Sequence, residues 1–175
     1  MDFKLHRHFV LTAFMVGIIF GFVALAWLPF KLKKQNHSGS IKCYVFMLLC
    51  LLVMVASWLL NVGWFRVLLT FLAFPVIHAM VFGITNGKAI LQLHNSPKLA
   101  RYTWIAQATY LLFYMFFPDG GDVGPMYVFF GLIRNNTAAE ILGMFSGVSL
   151  ATHTVVTVLQ LIEMHRIKKA AQEKF

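Results

Sequence analysis

Acidic residues are scarce in this chain: six Asp and Glu stand against fifteen Lys and Arg in 175 residues. Charged residues of both signs make up only 12%, where a soluble domain usually carries about 25%. The polar surface of a water-soluble fold is therefore missing. The usual signatures of enzyme chemistry are missing too. No Ser-His-Asp order, HExxH, CxxC or glycine-rich phosphate loop occurs, which argues against an enzyme. Cys43 and Cys50 lie seven apart, about 10 Å along a helix and too far for a mutual disulfide. Both read as small apolar residues, and no metal site is expected. No repeat, low-complexity tract or polar linker divides the chain. Residues 1–175 read as one integral membrane domain.

What is present is apolar bulk: 59% hydrophobic residues, with eighteen Phe and nine Met. It gathers in five stretches, at about 9–30, 43–61, 66–85, 102–117 and 141–162. A helix needs ~20 apolar residues to cross about 30 Å of hydrocarbon. The expected fold is all-α, a polytopic helical membrane protein with five transmembrane helices in one bundle. The fourth stretch is short, and four spans is the alternative count. Lys4 and Arg7 precede the first stretch as in a signal peptide. That stretch is too long for a signal core, and no small-residue cleavage site closes it, so it reads as a retained span.

Basic residues alternate between crowded and sparse connections. The loop before residue 43, the loop 86–101 and the C-terminal tail together carry eleven of the fifteen. Positive loops stay inside, which places the C-terminus in the cytoplasm and the N-terminus outside. Small size and compact loops suggest a bacterial inner membrane. The net charge of +9 is then a topology and lipid signal, and no direct nucleic-acid contact is expected. The basic clusters Lys31, Lys33, Lys34 and Arg166, Lys168, Lys169 could also dock an acidic cytosolic protein.

Several side chains invite function. Ala13, Gly17 and Gly21 repeat every four residues along the first span, and Gly143, Gly147 and Ala151 do so along the fifth. Such stripes let helix backbones approach closely in lipid, within one chain or between copies of a homo-oligomer. His78 and His153 each lie about twelve residues into a span entered from outside, at about 18 Å depth. Ionisable residues there are costly and turn toward the bundle interior. They could glue helices by hydrogen bonds, handle protons, meet a quinone or hold haem b. Haem is the alternative, and no cofactor is expected first. Pro75, one turn before His78, should free a carbonyl and bend the third span. Thr152, Thr154, Thr157, Gln160, Gln107 and Thr109 make the last spans polar, whereas the second is almost pure Leu, Val and Met and should face lipid.

The outer loop 118–140 carries Asp119 and Asp122, an acidic pair in a Gly-rich setting that reads as a solvated turn. Its apolar stretch 123–133 reads as a re-entrant piece or a loop resting on the outer surface. Together these features suggest a non-enzymatic, oligomeric membrane subunit. It would be a sensor or scaffold of the immunity or phage-defence kind, or a pore, docking a cytosolic partner on its basic face. A redox- or proton-handling subunit using His78 and His153 is the alternative, and a transporter subunit a third.

Overall fold

A computed structural model of the protein describes residues 38–60, 63–119 and 125–173. The expected first span, with Ala13, Gly17 and Gly21, lies outside the described residues, as do Lys31, Lys33, Lys34 and Asp122. The order is α1 (Ser38–Leu60), α2 (Trp64–Phe71), α3 (Phe74–Ile90), a 3-10 turn at Leu93–Asn95, α4 (Pro97–Phe116), strands β1 (Tyr127–Val128) and β2 (Ile133–Arg134), and α5 (Asn136–Gln172). Among the described residues two helices, α1 and α5, are long and apolar enough to cross a membrane, and a third span is counted if the bent pair α2–α3 is one. The helix at the expected fourth span is longer than the apolar stretch, because Ser96 caps it through the Leu99 amide and Pro97 opens its first turn.

The α1 helix departs from its expected place against lipid. Cys43, Met47, Cys50, Met54 and Trp58 are buried, and only the opposite face, with Val45, Leu49 and Leu52, is exposed. The buried set repeats every three or four residues, the spacing of one helix face. An all-apolar sequence hides this face, because lipid and core accept the same side chains. Against α1 packs α4, with Phe82, Tyr110, Phe113 and Tyr114 in the same core. Helix α5 runs antiparallel to α4: Ser146 donates to the Phe113 carbonyl near one end, and Ser96 donates to Glu163 near the other.

The third span is bent just before Pro75, in the turn where a proline was expected to bend it. Helices α2 and α3 meet at 67°, and the break falls at Leu72 and Ala73, with Ala73 left-handed at φ 53°. Pro75 stands in the first turn of α3, where its missing N–H is no loss. The loop between α4 and α5 is described at 117–119 and 125–135. It forms a two-stranded hairpin in which Tyr127 pairs Arg134 and Val128 pairs Ile133. Val128 is buried, and Leu132 at the turn is exposed.

Asp119 is also misplaced by the solvated-turn reading. It is 2% exposed, and its carboxylate lies 3.2 Å from Nε of Arg66, itself 1% exposed. Arg66 further donates to the Ser57 carbonyl and hydroxyl and to the Phe117 carbonyl. Its guanidinium carbon lies 5.1 Å from the ring centres of both Trp58 and Phe117. The Asp119 carboxylate accepts the Gly63 amide as well. One ion pair thus joins α1, α2, the end of α4 and, through the Asp119–Tyr127 backbone bridge, the hairpin.

Removing one partner leaves the other charge buried, which costs about 3–5 kcal/mol. Asp119→Ala should therefore lower stability by about that much in detergent, and the double variant Arg66→Met/Asp119→Ala by clearly less. Thermal unfolding of the four proteins of the cycle measures this. A single-variant loss below about 1 kcal/mol would place the pair in water.

Candidate functional site

Helices α3, α4 and α5 bring His78 and His153 together. Their rings meet edge to face with centres 5.1 Å apart. Tyr110 lies 4.9 Å from His78 and 5.4 Å from His153, and stacks on Phe82 at 3.8 Å. His78 Nδ1 and the Tyr114 hydroxyl share a hydrogen bond of 2.9 Å. His153 Nδ1 lies 3.0 Å from the Ala106 carbonyl. A carbonyl only accepts, so Nδ1 of His153 must carry its proton. Nε2 of the neutral ring then keeps its lone pair, 3.5 Å from the Thr157 hydroxyl. The second nitrogen of His78, Nε2, has no partner among the described residues.

The cluster continues toward the other end of the bundle. Gln160 donates to Asn86 Oδ1 at 3.3 Å and to Thr103 Oγ1 at 3.1 Å. Gln107 accepts the Cys43 thiol, and its backbone carbonyl accepts the Cys50 thiol. Gln107, Asn86 and Gln160 are all fully buried. On α5 the buried polar residues are Ser146, Ser149, His153, Thr157 and Gln160, a seam with steps of three and four. On α4 the matching seam is Thr103, Gln107, Tyr110 and Tyr114. The sequence makes Gln107, Thr157 and Gln160 visible, but not Ser146, Ser149, Thr103, Asn86 or the two tyrosines. Reading polar residues at helical steps, as apolar ones are read, would have found the seams. Thr109, Thr152 and Thr154 do not join them: none is buried, and each donates to its own helix one turn back.

The remaining predicted positions lie apart from this cluster. Gly143 faces Pro118 rather than a helix, since a Cβ there would stand 3.0 Å from the proline ring. A Cβ on Gly147 would meet nothing within 4 Å among the described residues, and Ala151 is exposed. Arg166, Lys168 and Lys169 are exposed on the last turns of α5, together with Lys88, Lys98 and Arg101 at the same end. At the opposite end Tyr127 is held above the ordinary tyrosine range by burial first and the Asp119 charge second, so its hydroxyl stays protonated. Among the described residues no group of three or more His, Cys, Asp or Glu could hold a metal ion. A haem between His78 and His153 would need a flat space that these rings, Tyr110 and Phe82 fill with one another.

No protein-family model, curated protein or solved structure matches the chain.

The Tyr114–His78 bond is the link most easily tested. Tyr114→Phe removes only the hydroxyl and should destabilise the protein by about 1–2 kcal/mol, leaving one more buried histidine nitrogen unpaired. An unfolding midpoint equal to wild type would show that the bond does not form.

Proposed function

We propose that this protein is a multi-pass bacterial inner-membrane protein, with five spans and its basic end in the cytoplasm, that handles protons through His78 and His153. The contact between the two rings carries this reading. Two ionisable groups from separate helices share one buried place, and membrane proteins keep such groups there mainly for function. The supporting chemistry is that of a relay. His153 Nε2 takes a proton to become imidazolium while Nδ1–H stays on the Ala106 carbonyl. The same nitrogen gives the proton up again. His78, in either tautomer, has one nitrogen with a lone pair, and is the next group in line.

Purified protein in liposomes loaded with a pH-sensitive dye, under an imposed membrane potential, tests this. Proton entry should exceed that of protein-free vesicles and fall at least tenfold in His153→Gln. Entry no faster than in empty vesicles would sink the reading.

The exposed basic end favours a second reading, a sensor or scaffold that docks an acidic cytosolic protein. Lys88, Lys98, Arg101, Arg166, Lys168 and Lys169 all stand free of the core there. A poly-glutamate peptide should then bind the detergent-solubilised protein in low salt. Charge reversal of Arg166, Lys168 and Lys169 should weaken it at least tenfold, and equal binding by that variant would exclude this surface.

A further inference from the structure

The seam between α4 and α5 leads from the histidine pair to a carboxylate. Gln160 is one turn beyond Thr157 on α5, and Glu163 is nearly one turn beyond Gln160. From His153 to Glu163 the helix rises about 15 Å. Of the described acidic residues at the basic end, Glu163 adjoins the seam, whereas Glu173 is exposed beyond it and pairs with Lys169. Its side chain is 14% exposed, accepts the Ser96 hydroxyl at 2.7 Å, and lies 3.8 Å from the Arg166 guanidinium on its solvent side. It stands between the seam and the aqueous face.

The amides along the way are incompletely satisfied. Gln160 is 0% exposed and uses its Nε2 on Asn86 and Thr103, while its Oε1 has no partner among the described residues. Gln107 is 0% exposed and uses its Oε1 on Cys43, while its Nε2 has no partner among them. Gln107 adjoins Ala106, whose carbonyl holds His153. A free acceptor and a free donor, both buried, therefore flank the route from His153. Buried polar atoms of this kind are met by internal water, which bridges two to four groups. On the α1 side Gln107 meets the Cys43 and Cys50 thiols, and around them the core is Met47, Leu51 and Met54.

We infer that Glu163 is the group through which the histidine pair exchanges protons with the basic end, over water held by Gln107 and Gln160. This rests on the proton-handling reading above and names its inner terminus. The carboxylate takes a proton from the aqueous side and becomes the acid. It passes that proton to the water chain, whose last member protonates His153 Nε2. Glu163 is again a carboxylate, His153 is imidazolium, and one proton has moved.

The liposome assay separates this from a merely structural role. Glu163→Gln keeps the size of the side chain and an acceptor for Ser96, but cannot ionise. It should slow proton entry at least tenfold with an unchanged unfolding midpoint. Glu163→Asp should restore much of the rate. Ser96→Ala breaks the hydrogen bond but keeps the carboxylate, and should stay within twofold of wild type. Gln160→Leu should slow entry as strongly as Glu163→Gln. If wild type conducts and Glu163→Gln conducts equally well, the assignment of Glu163 is wrong and the proton-handling reading survives. If wild type does not conduct, both fail.

Discussion

The Arg66 guanidinium brings a full charge and five N–H donors into a place from which water is excluded. Each donor left unmet there would weigh against folding, and the charge more so. Hydrogen bonds to the Ser57 carbonyl and hydroxyl and to the Phe117 carbonyl meet part of this demand, and the Asp119 carboxylate 3.2 Å from Nε meets the charge as an ion pair. Those acceptors can converge only if α1 ends, α2 begins and α4 ends at the same level. The pair therefore sets the register of three helices. The backbone bridge from Asp119 to Tyr127 extends that register to the hairpin. Two aromatic rings beside the guanidinium add attraction of the cation–π kind without needing water.

With that end fixed, the α4–α5 interface becomes a matter of alignment. The polar seams of both helices pair level by level: Ser146 with the Phe113 carbonyl, His153 with the Ala106 carbonyl, Gln160 with Thr103, Glu163 with Ser96. A shift of either helix by one turn would strand every one of these groups in the interior. In lipid there is no hydrophobic force to hold two helices together, so such bonds and close packing must do it. Specificity here comes from the number of pairs that must match together, not from the strength of any one of them.

The sequence made helices and apolar burial legible, because a long apolar stretch is itself the signal. It misjudged two features for reasons that can be named. The α1 face was hidden because Met47 and Met54 look alike against lipid or core. Asp119 looked solvated because its partner Arg66 is more than fifty residues away, and no local pattern announces a distant ion pair. Pro75 announced the bend before α3, although not the left-handed backbone of Ala73 at the break. His78 and His153 could be placed at one depth by counting residues. That they touch depends on how α3 and α5 are rotated about their axes, which counting does not fix.

Helix α4 shows why mean hydropathy is a poor guide to which side chains a helix buries. It is less apolar than α1, yet its exposed side chains include Trp104, Ile105 and Leu112, while Thr103, Gln107, Tyr110 and Tyr114 are buried. That arrangement is inside-out by the standard of a soluble helix. It is what a bilayer requires of a helix that carries polar side chains at all, since lipid cannot satisfy them and neighbouring helices can. The same constraint gives weight to the atoms of Gln107, Gln160 and His78 that have no partner among the described residues. A core of Leu and Phe in those positions would have been easier to build. Retaining amides and imidazoles along a single seam, with a carboxylate at its end, makes sense where the seam must carry something that hydrogen-bonds.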